Sequence, residues 1–114
     1  MALIKSKKTG YGVVADYWRI ETITIDKRMK EANFIIYLYL NKEATQSFDY
    51  RVVTIADKNN KEELFAKYFD ANIDYNNIYN SCYNCARELD EYFKDAEDDE
   101  EEKLYKESLK RKKR

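Results

Sequence analysis

The chain has 114 residues, 38% of them charged and 44% hydrophobic, and a net charge of −1. That length bounds one domain with one core, and the near-neutral balance excludes a global field that would draw in nucleic acid or an anionic membrane. Histidine and proline are absent and Gly10 and Gly12 are the only glycines, which removes the commonest general base, the commonest metal ligand and every glycine-rich phosphate loop.

In chain order, residues 1–10 read as a basic arm with Lys5, Lys7 and Lys8, ended by Thr9-Gly10. Near the start only Ala2-Leu3-Ile4 is apolar, too little for a signal peptide. No segment approaches the roughly 18 apolar residues of a membrane span, and the chain reads as cytosolic at synthesis. Val13 to Ile25 is rich in β-branched and aromatic residues and predicts a strand. Trp18 and Ile20 share one parity, Ile23 and Ile25 the other. A β-bulge near Glu21-Thr22, or a strand apolar on both faces, accounts for the switch.

Asp26 to Glu31 is a polar connection of hairpin length. Ala32 to Leu40 is a second strand, with Phe34, Ile36, Leu38 and Leu40 on one face and Ile35, Tyr37 and Tyr39 on the other. Both faces need cover or a partner. After a polar loop at Asn41–Ser47, Phe48 to Ala56 is a third strand.

The period then changes. Asp57 to Asn60 offers capping residues, Glu62 and Glu63 suit a first helical turn, and Leu64, Phe65, Tyr68 and Phe69 make a short amphipathic helix. After a break at Asp70 to Asp74, Ile78, Cys82, Cys85, Ala86, Leu89 and Phe93 form one helical stripe. Beyond Asp95 the apolar positions are sparse, and weak packing is expected. Strands followed by helices predict an α+β fold: an antiparallel sheet of three to four strands (residues about 12–56) with two helices packed on one face. The division is a basic N-terminal arm at 1–10, a single α+β domain at 11–96, and a charged C-terminal tail or helical extension at 97–114.

The motifs carry little chemistry. Cys82-Tyr83-Asn84-Cys85 is a C-x-x-C on the apolar stripe, without the second ligand pair that zinc needs, and reads as core packing. The acidic run Asp95–Glu102 lacks EF-hand spacing and its glycine. No serine or cysteine nucleophile has its usual histidine base, so neither catalytic residues nor cofactor or metal sites are expected. Eleven tyrosines with scattered lysines could stack on single-stranded nucleic acid. No RNP-type motif accompanies them, so nucleic acid is not an expected partner. Tyrosine also suits protein–protein interfaces. The interface candidates are Trp18, Tyr37, Tyr39 and Tyr50, with Lys110, Arg111, Lys112, Lys113 and Arg114 as tail contacts.

Four stretches together carry a resemblance: Asp16-Tyr17-Trp18-Arg19-Ile20, Tyr37-Leu38-Tyr39-Leu40-Asn41-Lys42-Glu43-Ala44, Phe65-Ala66-Lys67-Tyr68-Phe69 and Phe93-Lys94-Asp95-Ala96. In this order and spacing, residues 11–96 resemble small virion-associated proteins of tailed bacteriophages of Gram-positive bacteria, which tend to be encoded among tail and baseplate genes. The acidic-then-basic extension after Ala96 is not part of that pattern. The resemblance brings no catalytic residues. It implies a structural subunit of the virion, found in the host cytoplasm during assembly, with other virion proteins and further copies of itself as partners. An intracellular adaptor that binds a host or phage protein is the alternative.

Overall fold

The computed structural model describes residues 2–56, 61–69 and 77–112. It is an α+β fold with a five-stranded antiparallel sheet. The strands are β1 (Leu3–Lys8), β2 (Val14–Asp26), β3 (Glu31–Tyr39), β4 (Asp49–Ile55) and β5 (Glu97–Asp98), in the spatial order β4-β3-β2-β1-β5. Helices α1 (Lys61–Phe69) and α2 (Ile78–Leu89) and a 3-10 turn (Glu91–Phe93) precede β5, and α3 (Glu100–Lys112) follows it.

The parity switch in β2 is a bulge. Ile20 pairs with Ile36 and Thr22 with Ile35, so the register slips by one residue at Glu21. The slip lets Trp18 and Ile20 before it, and Ile23 and Ile25 after it, pack on the same core. The Ile20 amide donates to the Tyr83 hydroxyl of α2 (3.0 Å), so the helix anchors beside the bulge. The β2–β3 hairpin turns through residues 27–30, with the Met29 amide on the Asp26 carboxylate (3.0 Å).

The core lies between the sheet and the helices. Trp18, Phe34, Ile36, Leu38 and Ile55 meet Phe65, Phe69, Cys82, Cys85 and Phe93. Burial pushes the thiols of Cys82 and Cys85 up to about 12, as expected of thiols in apolar surroundings.

Three expectations are corrected. Residues 3–8 are not an arm but a strand inserted between β2 and β5. It turns back into β2 through Thr9–Val13, where the Thr9 amide and hydroxyl both donate to the Val13 carbonyl (2.9 Å each) and Gly12 takes φ +79°. Among the described residues there are therefore five strands and three α-helices. The stripe from Ile78 to Phe93 is not one helix. Asp90 is extended, and its side chain caps the next turn through the Tyr92 amide (3.0 Å), which delivers Phe93 to the core from a separate 3-10 turn. The segment after Ala96 forms β5 and α3. The capping residues proposed at Asp57–Asn60 and the break at Asp70–Asp74 lie outside the described residues.

Candidate functional site

Side chains alternate along a strand, so β3 presents Phe34, Ile36 and Leu38 to the helices and Ile35, Tyr37 and Tyr39 to the opposite, outer face. Cross-strand pairs extend that face onto β4: Ile35 lies opposite Val52 and Tyr37 opposite Tyr50. The outer face divides into a closed end and an open end.

At the closed end, Ala2, Tyr17 and Tyr39 form a small second core with Ile4, Tyr37 and Ala44 packed against it. Polar groups seal it. Tyr17 donates its hydroxyl to Asp99 (2.9 Å), and the Asp99 amide bonds the Ala2 carbonyl (3.1 Å). Burial, reinforced by the Asp99 carboxylate, holds the Tyr17 phenol well above its ordinary value. The Arg19 guanidinium lies 4.1 Å from the Tyr39 ring centroid and donates to the carbonyls of Lys42 (3.1 Å) and Ala44 (3.3 Å). Lys42 in turn pairs with Glu101 at the start of α3. Its second turn is held by Lys106, which bonds Asn84 (3.1 Å) and Asp98 (3.1 Å).

At the open end, Tyr37 and Tyr50 stack at a tilt, with ring centroids 6.1 Å apart. Tyr50 is 61% exposed and Val52 48%. With Ile35 half-buried beside them, these four side chains form a contiguous apolar patch that reaches the β4 edge of the sheet. Contiguous exposed apolar area of this kind marks interaction surfaces, and tyrosine suits it because the ring can be buried while the hydroxyl keeps a polar partner.

The four predicted interface aromatics therefore separate. Tyr37 and Tyr50 are together at the open end. Tyr39 is 6% exposed and sits under Arg19. Trp18 is fully buried on the helix side, its indole N–H donating to the Lys5 carbonyl (3.0 Å) and its ring edge-on to Phe93; it is a core residue and no partner can reach it. Ile35 and Val52 were not among the candidates because only aromatics were chosen, although Ile35 already shares the Tyr37 and Tyr39 face in the sequence pattern; the cross-strand pairing sets both beside Tyr37 and Tyr50. Of the tail contacts, Lys110 is exposed near the end of α3, Arg111 and Lys112 belong to the same helix, and Lys113 and Arg114 lie outside the described residues.

A dense polar cluster lies on the other side of the sheet and serves as a fastening. Arg51 of β4 grips Asp90 in a bidentate pair (2.7 and 2.9 Å). The Tyr92 ring has Arg51 4.6 Å and Lys5 4.3 Å from its centroid, and Lys5 donates to the Tyr92 carbonyl and to Asp95 (2.6 Å each). Burial alone would raise the Asp90 carboxyl, but the Arg51 guanidinium and the Tyr92 amide outweigh it and hold the group below the usual carboxylate range. Every charge here is answered by a neighbour, and the cluster ties β1, β4 and the 3-10 turn together.

Among the described residues no three of Cys, Asp and Glu converge to hold a metal ion, and no helix is long and apolar enough to cross a membrane. No family model, no curated protein and no solved structure matches the chain.

Proposed function

We propose that the protein is a non-enzymatic structural subunit of a bacteriophage virion, in the tail or baseplate region, that works through protein–protein assembly. The observation that supports assembly is the open patch of Ile35, Tyr37, Tyr50 and Val52 beside a face of the same sheet that the chain covers for itself. The virion setting rests on the resemblance of residues 11–96. Its partners are other virion proteins and further copies of itself, and it resides in the host cytoplasm before incorporation.

Mass spectrometry of purified particles tests the proposal: a stoichiometric band of this chain is expected. Absence from particles overturns it, and retention of a host protein by the immobilised chain in a Tyr50-dependent manner then favours an adaptor.

A further inference from the structure

The two edges of the sheet are unlike. Beyond Ile4, β1 has no β5 partner, and the strand continues as Lys5-Ser6-Lys7-Lys8. Lysines on an edge are a common device against pairing with another chain: an antiparallel register centred on Ser6 opposes Lys5 and Lys7. The edge at β5 is two acidic residues long. Among the described residues β4 has neither guard. Its two charged residues are of opposite sign, Asp49 and Arg51, where the free stretch of β1 carries three charges of one sign. Along it runs an open groove of about 360 Å3, lined by Arg51–Thr54 on one side and Leu89–Glu91 on the other.

From this asymmetry we infer that β4 pairs antiparallel with β4 of a second copy of this chain, about a two-fold axis normal to the sheet that runs midway between the two Val52 residues. The inference rests on the assembly reading and names its partner. An axis in that direction keeps the helices of both copies on one side and pairs residues of like parity. Within that set, only the register centred on Val52 pairs Asp49–Ile55 end to end. It sets Val52 against Val52, Tyr50 against Thr54, Arg51 against Val53 and Asp49 against Ile55, with no like charges opposed. The neighbouring register centred on Arg51 opposes two guanidiniums. Pairing about Val52 makes one ten-stranded sheet and merges the two apolar patches across the seam, as an isologous interface requires.

Directly opposed strand residues have Cα atoms about 4.5–5.5 Å apart, within the span of a disulfide. Val52→Cys in the otherwise native chain therefore forms a covalent dimer under mild oxidation, whereas Tyr50→Cys, which faces Thr54 of the second copy, does not; Cys82 and Cys85 are buried and do not compete. In sedimentation runs across a concentration series, Val52→Lys and Val52→Glu each weaken dimerisation about tenfold or more, and mixing the two restores it. Val52 is half exposed, so both variants keep the wild-type circular dichroism. A wild-type oligomer that is indifferent to Val52→Lys, or links as readily through Tyr50→Cys, overturns the pairing and leaves the assembly reading standing. A wild-type monomer at every concentration overturns the pairing, and absence from purified particles separately removes the reading beneath it.

Discussion

The two faces of one strand make the most instructive contrast in this molecule. On β3, Phe34, Ile36 and Leu38 are buried completely beneath α1, α2 and the 3-10 turn, while Ile35, Tyr37 and Tyr39 grade from half-buried to nearly covered on the other side. Both rows are apolar, and sequence alternation treats them alike. The closed row is built of side chains with no polar atom. The open row uses tyrosine, whose hydroxyl tolerates water while its ring does not need it. Apolarity on a strand thus states that a face wants cover, and the choice of Phe or Tyr bears on whether the cover is the chain itself.

Substitutions at neighbouring positions sharpen this contrast. The largest effect is expected from Phe34→Ala, which empties a fully buried site: about 3–5 kcal/mol of unfolding free energy in urea melts. A loss below 1 kcal/mol would mean that the helices do not seal this face. Next is Asp90→Asn, which weakens the Arg51 pair on the covered side. Arg51 is partly exposed and solvent screens the pair, so the cost is about 1–2 kcal/mol at neutral pH.

The sign with pH follows from the depressed Asp90 pKa. The stabilisation is present above the unfolded carboxylate value of about 3.9 and is lost as pH falls through the lower folded value. The gap between wild type and Asp90→Asn should therefore close in acid melts and stay open at neutral pH; a gap that persists in strong acid would assign the cost to packing.

Ile35→Ala, one residue from Phe34 but on the opposite face, should cost about 1 kcal/mol, since its side chain is already partly exposed. Tyr50→Ala comes last, at about 0.5 kcal/mol of stability, while its effect on association is the larger one. If Tyr50→Ala unfolds the domain instead, the patch is part of the core and the contrast between faces fails.

Several of these features were readable before the fold was known, and for physical reasons. The phase switch near Glu21 was legible, but a strand apolar on both faces explained it as well as a bulge did, and only the pairing with β3 decides for the bulge. The meander of β2, β3 and β4 was legible because each strand is densely apolar. β1 was not: three of its six residues are lysines, and it is a strand because β2 and β5 flank it, not because its own composition favours one. The break at Asp90 was hidden for a similar reason, since Phe93 stays in phase with the helical stripe while the backbone takes another route. In the candidate site, sequence placed Tyr37 and Tyr50 among the surface aromatics but could not separate them from Trp18 and Tyr39, because depth depends on what crosses above a residue. Arg19 and Asp99, which do that covering, are distant in sequence from Tyr39 and Tyr17 and carry no motif.

The seam between β1 and β5 has a consequence for how the molecule comes into being. The meander joins consecutive strands through short turns, a cheap closure at any moment of synthesis. β1 has one neighbour early, β2, but its other neighbour and the Lys5–Asp95 pair, 90 residues away in sequence, arrive late. Until residues 97–98 leave the ribosome, the outer margin of β1 waits without a partner, and contacts of such long range are the slow ones to form. Lys5, Lys7 and Lys8 give that waiting margin a charged rim, so the same lysines that make the segment look unlike a strand are what keep it from sticking to another nascent chain in the interval.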